Sequence, residues 1–303
     1  MEKRLIVIDA NALVHRGYHA LPKLTTKNGE LINAVYGFLL VFLKTIKEFN
    51  PDYIAACFDL PRPTFRHKRF ADYKATRPKA PDDLYEQIPK VKEILSAFSV
   101  PIFEKEGFEA DDLIGTIVKK ITDESVEKII LSGDLDTLQT VDKNTKVYTL
   151  KKGVRDTILY DQQKVLERYQ IPPVLLPDFK ALKGDPSDNI PGVPGIGEKT
   201  AIELVKRFGS LENIYKEIEA NSEQVKKLKP KLKALLENSK DQAFFSKMLS
   251  QIRYDVPIEF SLEGCQWKNY ERAKAIEVLR KFEFYSLIDR LPQASEKNTR
   301  KLF

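Results

Sequence analysis

The sequence predicts an α/β protein, a mostly parallel sheet with helices on both faces, followed by a mainly helical domain. Two observations and one packing rule carry this. Short β-branched or apolar runs alternate with helix-period segments through the first half. Strands separated by helices pair in parallel and need cover on both faces. Strand signals nearly vanish after Pro172. A chain of 303 residues suffices for about two domains and buries about three quarters of its unfolded surface with no disulfide or structural metal.

In order, 5–8, 53–58, 101–103, 128–131 and 146–150 read as strands. Segments 34–49, 82–98 and 110–123 read as the helices between them, with Pro89 kinking or splitting the second. Beyond Pro172 the helix pattern recurs at 174–183, 198–208, 211–218, 231–252 and 270–291. The expected organisation is an α/β core over 1–172, a helical domain over 173–292 and a loose tail over 293–303, whose first nine residues hold Ala294 as their one apolar residue.

Composition excludes several classes. With 42% hydrophobic and 31% charged residues, the chain is neither disordered nor collagen-like nor a disulfide framework. Two cysteines, Cys57 and Cys265, read as reduced thiols of a cytoplasmic protein. His15 and His19 have the i, i+4 spacing of a zinc pair but no third ligand, and satisfied histidines explain them better. The longest apolar run, 34–43, is about half a membrane span. A cytoplasmic monomer without membrane contact is expected.

The informative residues are acidic. Asp9 follows the strand 5–8, Asp59 follows 53–58, and Asp134 with Asp136 follow 128–131. One Asp after a strand is ordinarily a helix cap or turn residue, but that explains the repetition poorly. Glu109, Asp111 and Asp112 open the helix at 110, where the dipole favours acids; residues 109 and 112 share a face, with Asp111 turned away. Asp185 and Asp188 lie in a turn-rich segment opening the helical domain. Ligands collect beyond the carboxyl ends of parallel strands, so these nine carboxylates would gather and repel. Hard divalent ions resolve this, and all-oxygen ligation suits Mg²⁺ or Mn²⁺ over zinc. Two such ions support phosphodiester hydrolysis.

Directly after Asp59, residues 62–79 hold Arg62, Arg66, Lys68, Arg69, Lys74, Arg77 and Lys79 against the single acid Asp72. The whole chain carries 50 Lys plus Arg against 44 Asp plus Glu, a net charge of +6, so this segment holds the entire excess. A solvated loop is the ordinary explanation of a charge run. Here Phe65, Phe70 and Tyr73 are interleaved with the cations, a mix that tracks phosphates while stacking bases. In Gly192-Val193-Pro194-Gly195-Ile196-Gly197-Glu198-Lys199-Thr200, Glu198 stands where a Walker loop needs Lys and Thr200 where a dinucleotide fingerprint needs Gly. It fits a tight helix–helix turn, plain or able to grip a nucleic-acid backbone at the helix entry.

Together Ile8-Asp9-Ala10-Asn11, Phe58-Asp59, Phe65-Arg66, Tyr73-Lys74-Ala75-Thr76-Arg77-Pro78, Glu109-Ala110-Asp111-Asp112, Gly133-Asp134-Leu135-Asp136 and Gly184-Asp185-Pro186-Ser187-Asp188-Asn189-Ile190-Pro191-Gly192 resemble the 5′-nuclease domain of bacterial DNA polymerase I and the flap endonuclease family. The likeness runs from residue 4 to about 291. It implies a PIN-like core with a helical arch at about 60–80, then a helix-three-turn-helix DNA-binding domain, and a 5′-3′ exonuclease and flap endonuclease that removes 5′ flaps and RNA primers in replication and repair. By the likeness, Asp9, Asp59, Glu109 and Asp111 belong to a first metal site, and Asp112, Asp134, Asp136, Asp185 and Asp188 surround a second. Lys74 and Arg77 are catalytic arch cations, Tyr73 stacks a base and Arg66 contacts phosphate. The turn bearing Gly192, Gly195, Gly197 and Lys199 holds duplex DNA with a K⁺ on its carbonyls. The substrate is DNA with 5′ flaps, nicks or RNA primers.

Family members fused to polymerase continue where this sequence ends at Phe303, so a free-standing nuclease and a nuclease domain both stay open. The closing Lys301-Leu302-Phe303 only faintly resembles a sliding-clamp peptide, and neither a clamp nor a polymerase partner has other support. The alternatives are a non-catalytic DNA-structure-binding protein, which should have lost some of the nine acids, and a PIN-type ribonuclease, disfavoured by the arch and the hairpin turn.

Overall fold

The structure, a computed structural model, describes residues 3–154, 156–267 and 270–292; the tail expected over 293–303, with its clamp-like end, lies outside them. Six strands form one sheet: β1 (Lys3–Asp9), β2 (Tyr53–Cys57), β3 (Ile102–Phe103), β4 (Val126–Ser132), β5 (Thr145–Lys152) and β6 (Asp156–Tyr160). Their order is β3-β2-β1-β4-β5-β6. β1 to β5 are parallel, and β6 returns antiparallel to β5. The chain steps outward from β1 to β3 and then crosses to the other side of β1, so strand order switches direction between β1 and β4, where open α/β sheets bind ligands.

Alternation along the strands builds two faces. Leu5, Val7, Ala55, Cys57, Ile130 and Val147 point to the helix Ala110–Lys120. Ile6, Ile8, Ile54, Ala56, Ile129 and Leu131 point to the helices Ala10–Ala20, Asn33–Phe49 and Ile88–Ala97. Gly17 and Gly37 let the first two of these cross closely, since a Cβ on Gly37 would lie 2.5 Å from the Gly17 Cα. Past Tyr160 the described regular elements are helical, but 173–292 does not pack as one body. Its earlier helices continue the first core, with Leu182, Leu204, Ile214 and Leu236 beside Leu113 and Val141. Trp267, Tyr270, Ala275, Leu279 and Leu287 instead turn back onto the opposite face of the sheet beside Phe42 and Phe98.

All five expected strands form. The pattern does not announce β6, a partly exposed edge strand reached through Gly153 at φ +61°, or the helix Ala10–Ala20, whose cap is Asp9 itself. The segment 82–98 is split into Asp82–Tyr85 and Ile88–Ala97, with Pro89 in the new first turn, where no amide partner is lost. The helical arch is corrected. Its one full helix, Phe65–Arg69, is a single turn capped by Thr64, and turns follow to Thr76. Pro61, Pro63, Pro78 and Pro81 and the left-handed Lys74, φ +58°, prevent a longer helix. Cys57 and Cys265 are both buried and unbonded. Among the described residues no helix is long and apolar enough to cross a membrane.

Candidate active site

Because β1, β2 and β4 run parallel, their carboxyl ends bring Asp9, Asp59 and Asp134 to one edge. Asp9 caps the helix it precedes, accepting from the Ala12 amide at 3.1 Å, and receives the Ser132 hydroxyl at 2.6 Å. That hydroxyl also accepts the Asp134 amide at 2.9 Å, so Ser132 ties the ends of β1 and β4 together. Asp59 is exposed; Asn11 holds its amide and the Ala110 amide donates to its carboxylate at 2.7 Å. Asp111 projects from the start of the helix Ala110–Lys120.

Burial, followed by the charge of Asp59, raises the Asp9 carboxyl from 3.8 to about 7. Desolvation, then the charges of Asp134, Asp9 and Asp136, holds Asp111 well above the carboxylate range. Desolvation likewise moves Asp136 up to about 6 against the pull of Lys180. These are signs of anions crowded together without enough positive charge. The all-oxygen donor set fits hard divalent ions, and their charge is what the crowding lacks.

The nine acids do not form one open cluster. Among the described residues, no three carboxylate, imidazole or thiol side chains converge on one point as metal ligands; basic side chains lie among them. Lys74 Nζ is 2.9 Å from Glu109 Oε2, Arg77 pairs with Asp188, and Lys180 bridges Asp136 and Asp185. Desolvation opposes ionisation at Glu109, but Lys74 and Arg66 hold it below the usual range; Lys180 brings Asp185 down to about 2 despite the same cost.

Asp112 and Arg66 are placed differently from expectation. Asp112 is fully buried and accepts from Arg66 Nη1 at 2.8 Å, Arg66 Nη2 at 2.9 Å, the Glu109 amide at 3.1 Å and the Arg253 amide at 2.9 Å. Both oxygens are committed, so Asp112 is not positioned as a metal ligand. Arg66 is 3% exposed, and its remaining hydrogen bonds go to the Leu249 and Gln251 carbonyls, which closes it to phosphate. The likeness of motifs could not reveal this, because the partners of Arg66 lie some 185 residues downstream. Tyr73 is also buried, donating toward Glu109 and Asp188 at 3.2 and 3.3 Å, and is not open to stack a base.

Lys74 and Arg77 remain at the mouth. Their segment docks on the second acidic turn through the Lys74 amide to the Asp188 carbonyl at 3.0 Å and Asn189 Nδ2 to the Asp72 carbonyl at 2.8 Å. In the glycine turn, Gly192 is packed rather than presented. Its amide donates to Ser246 Oγ at 3.1 Å, its carbonyl accepts from Gln242 at 2.7 Å, and a Cβ there would lie 2.3 Å from the Gly184 nitrogen. Gly195, Gly197 and Lys199 are exposed, with Gly197 at the entry of the helix Glu198–Phe208.

Comparison with known proteins bears on this arrangement directly. The family model "5′-3′ exonuclease, N-terminal resolvase-like domain" matches residues 4–170, and "5′-3′ exonuclease, C-terminal SAM fold" matches 171–273. The chain belongs to the 5′-3′ exonuclease family. Among relatives, DNA polymerase I of Caldicellulosiruptor bescii is 42% identical over 290 residues, covering 95% of this chain and 33% of the relative. A 5′-3′ exonuclease of Aquifex aeolicus is 37% identical, covering 98% of this chain and 99% of the relative. The chain thus spans about one third of its polymerase relatives. A T5 5′-exonuclease structure with zinc bound has the same fold, with TM-score 0.68 at 21% identity over 95% of this chain and all of the other. The catalytic core of Rad2 in complex with DNA substrate aligns with TM-score 0.55 at 17% identity, covering 96% of this chain and 93% of that one.

Proposed function

We propose that this member of the exonuclease family is a structure-specific 5′ nuclease that hydrolyses phosphodiesters of 5′ flaps and RNA primers with two Mg²⁺ or Mn²⁺ ions. One observation carries the reading: four carboxylates, Asp9, Asp59, Asp111 and Asp134, without a basic partner at hydrogen-bonding distance among the described residues, at the switch point of a parallel sheet, facing a segment that holds the chain's whole positive excess. On binding, these four would draw together on one ion, since among the described residues no three of them converge in the free protein. Asp134 then stands in the place expected for Glu109, which Lys74 occupies; Glu109, Asp136, Asp185 and Asp188 border the place of the other. Bound there, divalent ions supply charge neutralisation and water activation.

The remaining work belongs to the chain. Ser132 orients Asp9 and fixes the turn that carries Asp134. Lys74 and Arg77, paired with Glu109 and Asp188 in the free protein, can transfer to a scissile phosphate, so the cations that close the site also receive substrate. Exposed Gly195, Gly197 and Lys199 at a helix N-terminus suit a duplex backbone, with K⁺ on the turn carbonyls as part of the same reading.

End-labelled flap DNA, nicked duplex and a matched single-stranded RNA, each with and without Mg²⁺, test it. Mg²⁺-dependent cleavage of the flap near the junction is expected. Binding of flap DNA without cleavage would favour a non-catalytic DNA-structure-binding protein, and preference for the RNA a ribonuclease.

A further inference from the structure

The carboxylates of the site divide by what neutralises them. Asp9 and Asp111 are crowded by other carboxylates. Asp136 and Asp185 share one partner, the Lys180 ammonium, paired with Asp136 Oδ1 and 2.7 Å from Asp185 Oδ2. All three side chains are mostly shielded from water, at 19, 22 and 16% exposure. Lys180 stands in the last turn of the helix Leu176–Lys183, which ends at Gly184 with φ +79°, and that turn aims Asp185 back at it. The helix therefore delivers both the cation and one of its acids.

We propose that Lys180 is a resident cation at the Asp136–Asp185 pair, so that the free protein takes one divalent ion tightly at Asp9, Asp59, Asp111 and Asp134, and a second only by displacing the Lys180 ammonium. The proposal rests on the reading of these carboxylates as metal ligands and adds an order of filling. An ammonium hydrogen-bonded to both carboxylates uses the oxygens a second ion would need, and the two positive charges repel at that separation. Lysine suits an exchangeable occupant, because its charge rides on a flexible four-carbon stem that can swing clear. A phosphodiester brought in by Lys74 and Arg77 adds negative charge beside the pair and favours the exchange. Full occupancy would thus follow substrate, which limits idle activation of water.

Spectroscopic counting of bound Mn²⁺ on the full chain without DNA tests this in wild type, Lys180→Met and Lys180→Arg. Wild type should bind one ion tightly and a second at least about tenfold more weakly. Lys180→Met keeps the stem without the charge and should tighten the second ion by about tenfold or more; Lys180→Arg should keep the wild-type pattern. In chelator, Lys180→Met should melt below wild type, since it leaves two shielded acids uncompensated, and Mn²⁺ should restore it. Unchanged second-ion affinity in Lys180→Met, or two equal ions in wild type, overturns the proposal while leaving the metal site in place. No Mn²⁺ binding by any of the three overturns the metal reading and this proposal with it.

Discussion

Replacing Asp112 with Asn separates a structural acid from a ligand. The side chain is fully buried and accepts four hydrogen bonds, two from the Arg66 guanidinium. An amide of the same shape turns one end into a donor facing donors and strands the guanidinium charge, whose other acid, Glu109, lies 3.6 Å away and is shared with Lys74. Breaking a buried pair from one side costs about 3–5 kcal/mol. With 303 residues and about 2.1 cal/mol/K of unfolding entropy per residue, that is a Tm loss of about 5–8 °C. Thermal unfolding in chelator reads the loss with no metal involved. Asp111→Asn is the contrast. It removes charge from a group held high by its neighbours, so it should raise Tm in chelator and lose Tm gained from Mg²⁺. If Asp112→Asn kept its Tm in chelator and lost divalent binding instead, Asp112 would be a ligand and the assignment to Arg66 would fall.

Ser132→Ala removes the hydroxyl that joins Asp9 to the Asp134 amide; it should weaken Mn²⁺ binding by about 10–100-fold with little change in fold, as titration calorimetry would show. Lys74→Ala should slow single-turnover flap cleavage far more than it weakens binding, and equal losses would reduce Lys74 to a phosphate contact. Gly192→Ala must place a Cβ 2.3 Å from Gly184 at φ +63°; it should destabilise by more than about 2 kcal/mol and weaken duplex binding, measured by unfolding and by fluorescence anisotropy. DNA affinity should fall by about three orders of magnitude or more between 50 and 200 mM salt if six or more phosphates are contacted.

What was legible in the sequence is what repeats locally. Three strands running into acids, two further strands and the charge run at 62–79 are all short-range patterns, and the five strands stand where expected. β6 was hidden because an edge strand needs neither a continuous apolar run nor strict alternation. The helix Ala10–Ala20 was hidden because its cap, Asp9, already carried another reading. The larger differences come from partners far apart in sequence. Arg66 looks like a surface cation until Leu249 and Gln251 close over it, and Lys180 looks like an ordinary basic residue in a last turn until the 3₁₀ turn Leu135–Thr140 brings Asp136 to it.

Charge balance connects these corrections to the reaction. The nine acids face four cations, Arg66, Lys74, Arg77 and Lys180, within pairing distance, which leaves five negative charges if all are ionised. The free protein can reduce that excess by keeping protons on Asp9, Asp111 and Asp136, whose carboxyls are all raised. Near neutral pH that route is only partial, since Asp136, raised to about 6, has largely lost its proton and Asp9, at about 7, about half of it. On the proposed function two divalent ions would supply four positive charges where the crowding is worst. On that reading a phosphodiester would add one negative charge beside Lys74 and Arg77, the two exposed enough to leave their acids. Arg66 is sealed in place and keeps its acid throughout. Burial therefore singles out one cation of the basic segment: Arg66 anchors the fold, while Arg62, Lys68 and Arg69 beside it are exposed and Lys74 and Arg77 would be free to follow a substrate.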